Sequence, residues 1–108
     1  MANWAAALGP RESSAARLQQ AVDAFRAALL EYTPDLMPLD WVRSQSYLGE
    51  TLQLLGEREG RIEPLKEALD SLQGSLEAYQ KAGMTQQATD LAKKVATVRT
   101  RIAAAQGR

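Results

Sequence analysis

Apolar residues recur along this chain at helical spacing, in four separate stretches. Ala15, Leu18, Ala21, Val22, Phe25, Ala28, Leu29 and Tyr32 fall on one face of a helix. Trp41, Gln45, Leu48, Leu52 and Leu55 make a second stripe, led by an aromatic that reads as core and interrupted only by Gln45. Ile62, Leu65, Leu69, Leu72, Leu76 and Tyr79 make the third, and Ala88, Leu91, Val95, Val98 and Ile102 the fourth. No stretch alternates with the period of two that a half-buried strand needs, so the predicted class is all-α.

Breakers at Gly9-Pro10, Thr33 to Pro38, Gly56 to Gly60 and Gly83 divide the stripes. Ser13 or Ser14, Asp40 and Thr85 stand where N-caps are expected, and Gly56 where the second helix is expected to stop. Pro64 is tolerable only in a first turn, and Gly74, inside the third stripe, predicts a close helix–helix approach. This reading gives a short N-terminal helix followed by three long ones, antiparallel because every connection is brief.

The stripes are also copies. Sliding residues 8–32 onto 55–79 superposes nine identities in 25, among them Leu8-Gly9, Arg11-Glu12, Leu18, Ala21 and Tyr32 on Leu55-Gly56, Arg58-Glu59, Leu65, Ala68 and Tyr79. A period of 47 residues marks a supersecondary unit that cannot bury its apolar face alone and stacks on its own copies.

Composition then removes whole classes of chemistry. The 108 residues suffice for one core, and 13 basic against 13 acidic side chains leave no net field to attract nucleic acid or an anionic membrane. With no cysteine and no histidine there is no thiolate or imidazole to act as nucleophile, general base or zinc ligand. Calcium-loop and phosphate-cradle patterns are missing, so no catalytic residue, metal ligand or cofactor is expected. The N-terminus lacks the basic leader of a signal peptide and no apolar run approaches a membrane span, so the expected location is cytoplasmic.

With these motifs placed, the chain resembles the tetratricopeptide repeat family, in its longer bacterial variety. The residues that carry the likeness are Pro38-Leu39-Asp40-Trp41-Val42-Arg43-Ser44-Gln45-Ser46-Tyr47-Leu48-Gly49, Leu54-Leu55-Gly56-Glu57-Arg58-Glu59-Gly60 and Leu65-Lys66-Glu67-Ala68-Leu69. The resemblance implies antiparallel helical hairpins stacked as a short right-handed solenoid of about two repeats plus a capping helix. Residues 1–39 would be a truncated repeat, 40–82 a full helix pair and 84–106 the cap, in a single domain over 1–108. The chain departs from the family pattern at Tyr47, where Asn is common, and in its last helix, which has Val95-Ala96 in place of Leu-Gly.

The resemblance further implies a concave face lined by Arg43, Ser46, Tyr47, Glu50 and Gln53; separately, Lys93, Lys94, Arg99 and Arg101 make the outer side of the last helix basic, which adds Lys94 as a candidate contact for an acidic peptide or a phosphate. The same residues are also the polar side that any amphipathic helix requires. The expected function is a non-enzymatic scaffold that takes a peptide or partner helix on that face. The alternative is homodimerisation or helix swapping through the apolar terminal residues Trp4, Leu8, Val98 and Ile102, and a small-molecule-binding bundle comes third. Glu57, Glu59, Glu63 and Glu67 cluster near one turn, where Glu59 is expected to pair with Arg58.

Overall fold

The computed structural model describes residues 10–107, with side chains from Ala16 onward. These form four helices and, among the described residues, no strand: α1 (Pro10–Glu31), α2 (Pro38–Glu59), α3 (Ile62–Lys81) and α4 (Thr85–Gln106). All four are long, at 20 to 22 residues, so the short helix expected ahead of three long ones is not what precedes α2.

Helix ends depart from the expected caps. α1 begins at Pro10, which puts Ser13 and Ser14 inside the helix instead of at its N-cap. α2 begins at Pro38, whose ring presets the φ of a first turn; Met37 is the N-cap, and Asp40 sits in the first turn, where a carboxylate meets the positive helix end. Thr85 is likewise the first residue of α4, its hydroxyl reaching back to the Gly83 carbonyl at 3.5 Å. Pro64 does lie in the first turn of α3.

The stop of α2 is Gly60 and not Gly56. Gly60 adopts φ +66°, and the N–H of Arg61 bonds the Gly56 carbonyl at 3.0 Å, the six-to-one closure that a left-handed residue permits. α3 ends the same way: Gly83 has φ +74°, and the N–H of Met84 bonds the Tyr79 carbonyl at 2.9 Å.

Gly56 has a packing task instead. A Cβ there would stand 2.8 Å from Leu65 Cγ, and one on Gly49 would stand 2.7 Å from Leu72 Cγ, so both glycines let α3 press against the α2 backbone. Gly74, by contrast, has nothing within 4 Å of its would-be Cβ, and the close approach expected there does not exist.

Contacts fix the directions. Pairing Gly49 with Leu72 and Gly56 with Leu65 makes α2 and α3 antiparallel. The ion pairs Glu50–Lys94 and Glu57–Arg101, each 44 residues apart, make α2 and α4 parallel. α1 packs on α2, α3 on both α2 and α4, and the molecule measures 42 × 39 × 22 Å, two helix diameters in its thinnest direction.

The core joins Leu48, Leu52 and Leu55 of α2 to Leu65, Ala68 and Leu72 of α3 and to Leu91, Val95 and Val98 of α4; α1 adds Val22. Trp41 is only half-buried, and the inward place in that turn belongs to Val42. α4 also repeats α2 in space, since both its ends lie 47 residues beyond those of α2. Beyond Tyr79 the sequence identities thin to Met37/Met84, Gly60/Gly107 and Arg61/Arg108, yet the period continues in the backbone.

Candidate functional site

The parallel pairing of α2 and α4 creates a shallow depression of about 160 Å³. α2 contributes Arg43, Ser46, Tyr47 and Glu50, which follow each other at helical spacing and so share a face. α4 contributes Gln87, Asp90, Leu91 and Lys94, each 44 residues beyond its α2 neighbour, and Tyr79 of α3 closes one wall.

Lys94 Nζ donates to Glu50 Oε2 at 2.7 Å across the depression, with both side chains still more than a third exposed. The Tyr47 ring packs against Phe25 of α1, centroids 5.7 Å apart and planes tilted by 31°, while 52% of the residue stays open to solvent. Arg43 is exposed. Two cations, two carboxylates and two phenol rings thus face one hollow, an arrangement suited to a polar ligand carrying both signs of charge and an apolar group to set against the rings.

Five of the six residues expected as partner contacts are gathered here, but not all as contacts. Ser46 is buried, and its hydroxyl donates to the Val42 carbonyl at 2.9 Å, one turn back along its own helix, which leaves it to shape the floor. Gln53 lies outside the depression and donates to Glu57 Oε2 at 3.1 Å. Tyr79, Gln87, Asp90 and Leu91 were missed. The signal for the α4 three was present: a 47-residue repeat whose first helices run parallel places α4 residues opposite α2 residues at nearly that offset.

The residues expected to self-associate fare differently. Val98 is fully buried in the core, because the α4 stripe that seemed terminal packs against α3. Ile102 is half-buried against the same core. Trp4 and Leu8 lie outside the described residues. Exposed apolar side chains collect instead at the corner between α1 and α2, where Leu30 and Leu36 are 85% and 80% exposed and Met37 and Leu39 are also open.

The acidic residues near the α2–α3 turn do not form one group. Glu57 pairs with Arg101, Glu67 with Arg26, and Glu59 with Arg61 at 3.2 Å, not with Arg58 as expected. Among the described residues no three metal-ligating side chains converge, and no helix is long and apolar enough to cross a membrane. No family model, no curated protein and no solved structure matches the chain.

Proposed function

We propose that this protein is a non-enzymatic interaction module of tetratricopeptide-like type, with its helices stacked as a short solenoid, that takes a peptide or partner helix into the depression between α2 and α4. The observation that supports this reading is the parallel α2–α4 pair, which sets Arg43, Tyr47 and Glu50 across from Gln87, Asp90 and Lys94. An open hollow with an aromatic anchor and charges of both signs has the makings of a specific, moderate-affinity contact. The test is selection from a displayed peptide library against the whole chain, followed by titration of the selected peptides into Arg43→Ala, Tyr47→Ala and Asp90→Ala. Affinities reduced at least roughly tenfold would support the reading, in line with the cost of truncating an anchor; unchanged affinities would sink it.

A second reading, self-association, is favoured by the Leu30, Leu36, Met37 and Leu39 corner. Solution mass by light scattering across a hundredfold concentration range tests it, and a monomer throughout rejects it.

A further inference from the structure

The α2–α4 depression holds two cations and two carboxylates, and only one of each is used. Lys94 reaches across to Glu50 at 2.7 Å. Arg43 and Asp90 line the same hollow, are exposed, and have no ion pair or side-chain hydrogen bond among the described residues. Every residue that lines the hollow is itself described.

Both unused groups have a possible partner on their own helix. Asp90 stands four residues before Lys94, the acid-first order that favours pairing along a helix, and Asp40 stands three before Arg43. Lys94 instead spans the hollow to Glu50, which deprives Asp90 of the cation one turn away, and Arg43 does not turn back to Asp40. Ser46, on the floor, spends its hydroxyl on the Val42 carbonyl of its own helix. One end of the hollow is therefore neutralised by an ion pair, and the other keeps a separated positive and negative charge.

Helical register orders these groups along the axis. The Glu50–Lys94 pair sets α4 residues level with the α2 residues 44 before them, as does Glu57–Arg101 further along. Gln87 is then level with Arg43, and Asp90 with Ser46. At a rise of about 1.5 Å per residue, Asp90 lies about 4.5 Å along the axis from Arg43 on the opposite wall, and the Glu50–Lys94 pair closes the hollow about 6 Å further on.

A partner laid on this hollow takes Arg43 and Asp90 out of water, and a covered charge without a counter-charge is heavily penalised. The hollow thus disfavours a purely apolar segment. At about 160 Å³ it is also smaller than the roughly 300 Å³ and more of sites that enclose a small molecule, so it suits side chains delivered from outside.

We infer that the segment taken by the depression is a helix that presents a carboxylate and a cation one turn apart, the carboxylate to Arg43 and the cation to Asp90. The inference rests on the peptide-binding reading above and adds the partner's charge pattern to it. The planar fork of Arg43 suits a carboxylate held by two bonds, and the Asp90 carboxylate accepts from Lys or Arg. An axial offset of about three residues matches the i, i+3 or i, i+4 spacing of one helix face.

The test is a displayed library of Ala-rich helices about 16 residues long, varied on one face and selected against the whole chain. The selected helices should carry an acidic and a basic residue three or four apart, and should bind Arg43→Glu and Asp90→Lys at least about tenfold more weakly. Replacing the helix's acidic residue by Lys should restore binding to Arg43→Glu alone, and replacing its basic residue by Glu should restore binding to Asp90→Lys alone. Such reciprocal rescue requires that the variants are folded and that the charges meet directly. Helices that lose about tenfold toward Tyr47→Ala yet ignore both charge reversals, or that are not rescued, overturn the inference and leave the peptide-binding reading standing. Helices indifferent to all three substitutions, or a library that yields no binder, remove that reading and the inference with it. Saturable amide chemical-shift changes at Arg43 and Asp90 on adding free glutamate or lysine would give the two charges to a small zwitterion, and overturn it too.

Discussion

Gly49 of α2 stands directly over Leu72 of α3, so close that a single added carbon would lie 2.7 Å from two of the leucine's side-chain atoms and 3.3 Å from the Ala68 carbonyl oxygen. Leu72 is fully buried within the core cluster, so any shift it makes disturbs its packed neighbours. Gly49→Ala therefore trades a helix-propensity gain of about 1 kcal/mol against overpacking of about 1–3 kcal/mol. A net destabilisation of about 1 kcal/mol is expected in urea unfolding, with the slope unchanged; a stabilised variant would contradict the contact.

Gly74 supplies the control. It is interior to α3 with open space where its Cβ would be, so Gly74→Ala should raise stability by about 1 kcal/mol and raise the thermal midpoint. A loss would mean that something does approach that helix face.

Leu72 and Phe25 are repeat equivalents with different surroundings, one fully buried and one half-buried. Leu72→Ala is expected to cost about 3–5 kcal/mol, near the limit of what a domain of this size tolerates. Phe25→Ala should cost clearly less although phenylalanine is larger, because part of its ring already faces water. Equal losses in chemical denaturation would mean that α1 is covered as fully as α3.

The Glu50–Lys94 pair is a third or more exposed on both sides. A double-mutant cycle with Glu50→Gln and Lys94→Met should return a coupling of about 1 kcal/mol or less, shrinking as salt is raised. Coupling that ignores salt would point to a pair shielded from water.

Gln45 carries a buried Oε1 with no hydrogen-bond partner among the described residues. It is the residue that interrupts the apolar stripe of α2, and among the described residues its acceptor goes unused. Gln45→Met, close in shape and free of that acceptor, should stabilise the chain by about 1 kcal/mol in thermal unfolding. A drop would show that the amide is paired in solution.

Several errors of the sequence reading share one cause. Gly49, Gly56, Gly60 and Gly74 are the same letter in four roles: close approach at the first two, a left-handed stop at the third, and no contact at the fourth. Spacing along the chain cannot separate these, because the first role depends on what lies opposite. Trp41 and Val42 pose the same problem, since the inward member of two adjacent apolar residues is chosen by the neighbouring helix. Val98 looked like a terminal face only because nothing in the sequence says which helix α4 packs against.

What the sequence by itself determined is local: four stretches of helical apolar spacing, the turns between them, the 47-residue period and the absence of thiol and imidazole chemistry. Periodicity is a property of one element and survives without knowledge of its neighbours. Tertiary structure alone decided that α2 and α4 lie close enough for Lys94 to meet Glu50, that Val42 and not Trp41 turns inward, and that the described face of α1 is half-buried where that of α3 is buried. Those are relations between elements, set by which surfaces bury one another, and side-chain order along a single helix does not encode them.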